Sequence, residues 1–434
     1  MATEKVEKTV AEQDKSAPPQ KSGSLEKPGI VWRQALDSLL IPVLAIFTAL
    51  VVSAVLILLS DVKVLAAYRN FFQNPVGALG ATWKAVADAY GALFLGAIGN
   101  PADMVQSIGA FFSTGDTQPM IAAFWPLSES LVTSTPYIFA GLAVALGFKC
   151  NLFNIGVEGQ LYIGALASAW IGYSINGLPL LIHLPLAFLG GALAAAIWGG
   201  IPGYLRAKTG AHEVINTIMM NYIAFRLADW LLNGPMKRGG GAGYIPISPS
   251  ILPSAVIPKF FPDPIRFHAG FFIALGIAAL VYWFLWKTTP GFEIRTVGAN
   301  ARAARYGGIN IGRNMILAMA LSGALAGMAG ANEVLAVNHN VAGSFSPGYG
   351  FDSIALALLG NSHPLGVVLA SLLFGTLRNG ATRMQSIAEI PIDIISIVQA
   401  MIIMFIAAPA IIRWIYRVKA RGGLQVVLSG GWGK

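Results

Sequence analysis

Four carboxylates stand inside otherwise apolar sequence: Glu129, Glu158, Glu333 and Asp352. An ionisable side chain at the middle of a hydrocarbon layer costs about 2.5–3.5 kcal/mol on insertion scales, so such groups face a protein interior or a watery path. Asn154, Glu158 and Gln160 follow a break at Cys150–Asn151, and the spacing of Asn154 and Glu158 predicts a shared helix face. Measured from Lys149, Glu158 is expected about 13 Å into a helix. A second interrupted region carries Asp352 shortly after Pro347–Gly348, with a further break from Asn361 to Pro364. Paired hydrophobic segments interrupted by Gly or Pro point to the binding region of carriers. Asn154, Glu158, Gln160, Phe345, Tyr349 and Asp352 are therefore the candidate translocation path. Each carboxylate also has a purely structural use. Glu158 could bond backbone groups at a kink, and Asp352 is expected to cap the short helix after Gly350. Glu129 and Glu333 are expected to satisfy helix contacts, and Arg226 to pair with Asp229.

Other chemistries find little support. Cys150 is the single cysteine, so it forms no internal disulfide framework and no metal cluster by itself. The five histidines are scattered, and "AHEVIN" (Ala211–Asn216) lacks the second His of a zinc helix. A phosphate-binding GxxxxGK loop followed by Ser or Thr is absent; Gly433–Lys434 is the only GK pair. If this chain moves solute at the expense of ATP, another subunit must hydrolyse it.

The stretch "RTVGANARAARYGGINIGR", Arg295 to Arg313, places four arginines between two apolar runs. Asn300 is a helix N-cap candidate, and Gly307–Gly308 a stop. Arg302 and Arg305 share one face, while Ala301 and Ala304 share another that is small enough to let a partner surface approach. A positive loop alone would account for the arginines, whereas a docking helix also accounts for the capped turn between glycines.

These features need elements to position them. The chain of 434 residues is 55% hydrophobic and 11% charged, with a mean hydropathy of +0.65. That composition belongs to an all-α polytopic membrane protein, and abundant glycine suits close helix packing in lipid. The net charge of +9 could suggest nucleic acid. Its location argues against that partner: the surplus collects at Arg206 and Lys208, at Arg295 to Arg313, and at Arg413, Arg417, Lys419 and Arg421. Basic residues beside apolar runs follow the positive-inside pattern. The first 37 residues carry balanced charge and read as a disordered cytoplasmic tail without the apolar centre of a signal peptide. Spans are expected near 39–60, 121–147, 152–174, 180–204, 212–232, 267–287, 314–337, 350–361, 364–382 and 392–412. That is about ten crossings, or about eight if 350–361 is re-entrant and another assignment is wrong, each needing roughly 20 residues. Both termini then lie in the cytoplasm, the permease domain covers 38–420, and 421–434 forms a second tail. The loop 288–313 is cytoplasmic. Segments 61–120 and 233–266 lie outside, the first as interfacial helices and the second as a loop ordered by Gly and Pro turns.

"GANARAARYGGIN" resembles the cytoplasmic coupling motif of ATP-binding-cassette (ABC) importer permeases. "GFKCNLFNIGVEGQLYIGA" (Gly147–Ala165) and "SPGYGFDSIALALLGNSHPLG" (Ser346–Gly366) are similar to signatures of their branched-chain amino acid, ribose and nucleoside branch. The wording is nearest to nucleoside permeases, with simple-sugar systems close. The resemblance implies that Gly298, Asn300, Ala301, Arg302, Ala304, Arg305, Gly307 and Gly308 engage the ATPase. It also implies partners: ABC ATPase subunits, a second permease that is a different chain, an extracytoplasmic substrate-binding lipoprotein, and the lipid bilayer of a bacterial plasma (inner) membrane. No cofactor is expected in this chain, ATP being used by the partner ATPase. Solute specificity would rest largely with the binding protein, although Phe153, Phe345, Tyr349 and Phe351 could suit an aromatic nucleoside. A channel would not need the capped basic helix; a secondary carrier would use Glu158 or Asp352 as its coupling charge.

Overall fold

Side-chain caps and prolines define the helix boundaries around the loops. Asp61, Asn74, Asn100, Thr288, Asn300 and Asn310 each accept a backbone N–H of the turn they precede, satisfying donors that a helix start leaves free. The computed structural model describes residues 28–239, 245–388, 396–397, 400–401, 404–405 and 408–417. Among them the helices are α1 (Pro28–Ser60), α2 (Val62–Arg69), α3 (Pro75–Ala97), α4 (Pro101–Thr114), α5 (Gln118–Lys149), α6 (Val157–Ser174), α7 (Leu180–Thr209) and α8 (Glu213–Asn233). They continue with α9 (Gly270–Lys287), α10 (Thr289–Ala299), α11 (Ala301–Tyr306), α12 (Ile311–Asn332), α13 (Tyr349–Leu359), α14 (Pro364–Ala388) and α15 (Pro409–Tyr416). Extended pairing among the described residues is limited to isolated bridges, Ile247 with Ala342 and Lys259 with His268. The fold is all-helical and multi-pass. Among the described residues, six segments are long and apolar enough to cross a membrane: Val43–Ser60, Gln118–Lys149, Leu180–Thr209, Gly270–Lys287, Ile311–Asn338 and Pro364–Ser386.

Contacts divide the chain into two units. One runs from Thr48 to Ala408. The other comprises α1 up to Phe47 and the chain from Pro409, including α15.

Several expected boundaries move. The predicted tail is helical from Pro28, because proline fits a first helical turn and the apolar run continues from there; residues before it lie outside the described set. The predicted span 392–412 and the tail 421–434 fall largely or wholly outside it. The predicted span 152–174 becomes helical only at Val157, since Cys150–Gly156 is turn and coil and Asn151 has a φ of 57°. The predicted span 350–361 is a helix of 11 residues, which at about 1.5 Å per residue is too short to cross. The span 314–337 continues past α12 as a π-helical turn, Glu333–Asn338.

Segment 61–120 is helical over much of its length. Its longest helix, α3, packs along α14. Gly380 admits the Leu93 carbonyl, and Asn379 Nδ2 donates to the carbonyls of Gly96 and Pro126 at 3.0 and 2.9 Å.

The core of the larger unit is α12, crossed by α6 and α7 on small residues. A Cβ on Gly330 would collide with the Leu161 carbonyl, one on Gly164 with the Gly327 backbone, and one on Gly323 with the Ala195 carbonyl. Backbones in contact leave no room for adjustment, so the glycines set the helix separation. Gly330→Val should lower the melting temperature of the detergent-solubilised protein by several degrees, overpacking costing about 1–3 kcal/mol where neighbours can yield and more where backbone must move. Gly276→Val, on α9 with no atom within 4 Å of the added Cβ, should leave it unchanged. Equal melting of the two variants would contradict the packing role.

Candidate functional site

The breaks in the sequence create two half-helices that meet. After Lys149 the chain turns back through Cys150–Gly156 and starts α6 inside the bundle, beside α13 rather than at its end. Glu158 occupies the first turn of α6 and is 3% exposed. Its Oε2 accepts the Gly350 N–H, in the first turn of α13, at 2.5 Å. Gly350 is required there: a Cβ would strike the Glu158 backbone.

The two helices then diverge. α6 ends where Gly172 lies against Ile251 and its carbonyl accepts the Leu252 N–H at 2.8 Å, so it runs toward segment 245–269. α13 runs the other way, alongside α5. Tyr137 touches Tyr349 and Asp352, while Gly141 faces Leu356. The loop after α13 brings His363 to Trp286, which Lys149 also approaches. Since 137 and 149 are about 18 Å apart along α5, the junction lies well inside the bundle. The chain reaches it from segment 245–269, where the Val341 carbonyl accepts the Ser248 N–H at 2.9 Å, and Gly348, with φ 98°, turns it into α13. One carboxyl group, carried in the first turn of α6, thus accepts from the first turn of α13.

Asn154 and Gln160 belong to one buried hydrogen-bond network. Asn154 precedes α6 and shares no helix face with Glu158. Its Nδ2 donates to Gln160 Oε1 and to Ser322 Oγ, both at 2.9 Å, and its Oδ1 accepts the Gly156 N–H at 2.9 Å. Ser322 Oγ donates to the Ala143 carbonyl at 2.6 Å. Asn221 completes the fastening, accepting from Gly159 N–H and donating to the Ile155 carbonyl. All of these side chains are buried, and they fasten the break that precedes α6.

Asp352 is no cap, because α13 begins before it at Tyr349. Instead it pairs with Arg378 of α14 at 3.2 Å and accepts from Tyr137 Oη at 2.7 Å. Arg378 also donates to Tyr137 Oη at 2.8 Å and to the Pro347 carbonyl at 3.3 Å, and its guanidinium stands 6.0 Å from the Tyr349 ring centre. The Asp352 and Arg378 side chains are 29% and 31% exposed. A charged pair open at this depth faces water or a polar partner, not lipid. Arg378, Thr382 and Gln385 are accessible at helical spacing on α14, and Phe351 is exposed beside Asp352; together they give this face a polar wall with an aromatic edge. Tyr349 is buried edge-on to Tyr137, and Phe345 rests on Tyr162. Sequence reasoning missed Arg378 and Tyr137. Arg378 lay within the predicted span 364–382, where an arginine in apolar sequence was signal enough.

Within segment 245–269, Arg266 forms a bidentate pair with buried Glu129, Nε donating to Oε1 and Nη2 to Oε2. That carboxylate, and then Glu333, hold the guanidinium above its ordinary pKa. Glu333 also accepts from Asn338 Nδ2 at 3.4 Å, and Arg226 pairs with Asp229 at 3.5 Å, as their positions predicted.

The basic helix forms as its ends dictate. Asn300 Oδ1 accepts the N–H groups of Arg302 and Ala303 at 3.0 and 3.1 Å; Gly307 ends the helix, and Gly308 follows with φ 79°. Gly298 lies against the Lys149 carbonyl and the Asn151 N–H. Ala304 is 1% exposed against its own chain, and Ala301 is half-buried. Arg302, Arg305 and Tyr306 form the open face, bordering a hollow lined by Ala301 and Ile311.

Comparisons with known proteins find relatives among transport permeases. The chain is 42% identical over 301 residues to the guanosine ABC transporter permease protein NupP of Bacillus subtilis, covering 68% of this chain and 85% of that protein. It is 37% identical to the glucose ABC transporter permease protein TsgB13 of Haloferax volcanii, covering 64% and 75%. It is 36% identical to the nucleoside ABC transporter permease protein NupB of Lactococcus lactis, covering 66% and 80%. No solved structure matches the chain. The family profile described as branched-chain amino acid transport system / permease component matches residues 127–407, which include both half-helices and the capped basic helix, and the chain belongs to that family.

Proposed function

We propose that this chain is the membrane-spanning permease of an ATP-driven nucleoside importer, with its path running past the junction of α6 and α13. The observation that carries this reading is the partly open Asp352–Arg378 pair beside that junction, in a chain of the permease family. The chain is a transport subunit and not an enzyme. Nucleoside is favoured because relatives 42% and 36% identical carry guanosine and nucleoside in their names. Phe351 offers an aromatic face, and Arg378 a charged donor of the kind that binds base acceptors. A simple sugar is the second reading, favoured by the relative named for glucose.

Partners follow from the two ends of the bundle. ABC permeases work with ATPase subunits and a binding protein, and the exposed Arg302, Arg305 and Tyr306 form the surface we assign to a cytoplasmic ATPase. Segment 245–269 would receive solute from an external binding lipoprotein, and the open Asp352–Arg378 face would meet a second, different permease chain across the path. ATP binding to the partner then shifts α11, and the bundle opens the junction to the other side of the plasma membrane. ATP is used by the partner, and we expect no bound cofactor in this chain.

Reversing the open charges tests the docking surface. Arg302→Glu with Arg305→Glu should leave the protein inserted, reduce copurification of the ATPase subunits severalfold and abolish uptake; normal uptake would remove the assignment.

Orientation is tested by accessibility. With Cys150 changed to Ser, single cysteines at Ala303, Ala207 and Asp263 would be exposed to an impermeant thiol reagent on intact cells. Labelling should occur at position 263 alone, since the basic loops belong in the cytoplasm. Reaction at 303 from outside would reverse the topology.

A further inference from the structure

One group of side chains links the docking helices to the element that carries Asp352, and the path and the capped helix leave it unexplained. Trp286, near the end of α9, is flanked by Lys149 Nζ and Arg295 Cζ, each 5.6 Å from its ring centre. Two cations drawn to one aromatic ring hold together charges that would otherwise separate. Tyr282 stacks on Trp286 at 5.2 Å, and the His363 ring lies 5.1 Å from Trp286 and 5.6 Å from Tyr282. His363 belongs to the four-residue turn between α13 and α14, the helices that bear Asp352 and Arg378. Burial, and then the Lys149 charge, hold its pKa below the ordinary value, so at neutral pH it meets the rings as a neutral aromatic.

The docking side of this group is fixed with equal care. Arg295 Nε donates to the Leu285 carbonyl at 2.8 Å, Gly291 lies against the Phe284 carbonyl, and Gly298 lies against the Lys149 carbonyl. A displacement of α10–α11 therefore pulls on the ends of α9 and α5. α13 and α14 pack along α5 as well, and the turn that joins them meets Trp286 through His363; that turn contains two left-handed residues, Asn361 (φ 51°) and Ser362 (φ 50°). Non-glycine residues adopt that conformation in sequence only where the surroundings enforce it.

We propose that Trp286 and His363 form a positioning relay, transmitting movement of the docking helices to the α13–α14 hairpin and so to the Asp352–Arg378 pair. The proposal rests on the docking role of α11 and adds the route by which the signal travels. Neither ring is placed against solute or ATPase, so their loss should spare assembly and damage coupling.

The test uses the complete transporter, with both permeases, ATPases and binding protein, reconstituted in liposomes. His363→Ala should keep its ATPase subunits and its basal hydrolysis, yet move about fivefold less solute per ATP, the order of effect one lost aromatic contact can have on a coupling equilibrium. His363→Phe, which retains a ring, should restore most of the ratio, and Trp286→Leu should match His363→Ala. Unchanged coupling in His363→Ala, or no rescue by Phe, overturns the relay. Loss of the ATPase from His363→Ala or Trp286→Leu also overturns it, making the rings a support for assembly. Failure of the docking role itself would show elsewhere, as ATPase retained by the Arg302→Glu, Arg305→Glu variant.

Discussion

The fold depends on one carboxyl group placed between two helix starts. Helices α6 and α13 begin inside the bundle, where the free N–H groups of a first turn have no water to bond. Their positive dipole ends also face one another, which by itself is repulsive. Glu158 places a negative group in the first turn of α6 and accepts from Gly350 in the first turn of α13, while Asn221 Oδ1 accepts the Gly159 N–H of α6. Each helix end favours a nearby negative group by about 0.3–1 kcal/mol, and up to about 2 in buried geometry. A hydrogen bond to a charged group adds roughly 1.5–3 kcal/mol. Together these match the cost, roughly 2.5–3.5 kcal/mol, of placing a carboxylate at mid-membrane.

That junction explains why its neighbours are what they are. Gly350 must lack a side chain to approach Glu158. The Asn154, Gln160, Ser322 and Asn221 network fixes the coil that delivers α6 to the meeting point, and the glycines of α12 let α6 and α7 cross it closely. Half-helices also give an importer something to move. Each is anchored at one end, to segment 245–269 or to the cationic-aromatic group at Trp286, and each is free of its own chain's helix ladder at the other.

Much of this was legible in the sequence, and the limits have physical causes. The Asn300 cap and the Gly307–Gly308 stop are local chemistry, so they formed as read. The importance of Glu158 followed from the cost of burying it. Its partner did not, because Gly350 lies 192 residues away and no periodicity reports a contact between two helix starts. Treating the chain after Cys150 as helix gave Asn154 and Glu158 a common face that the coil to Gly156 removes. For Asp352 the sequence offers a place on the path or a helix cap; its pairing with Arg378 depends on α14 passing beside it. Ala304 matched a docking face by size alone, whereas burial turned it inward.

The central claim is that Glu158 acts as a fixed acceptor joining two helix N-termini, not as a proton carrier. It is tested by uptake in reconstituted transporters carrying Glu158→Gln or Glu158→Leu, with assembly checked in each. Glutamine keeps an acceptor oxygen at nearly the same size, so transport should survive substantially; leucine leaves the Gly350 N–H unpaired, and transport should fail. If glutamine were as inactive as leucine in a fully assembled complex, charge or proton movement at Glu158 would be essential, and the fixed-acceptor role would be wrong.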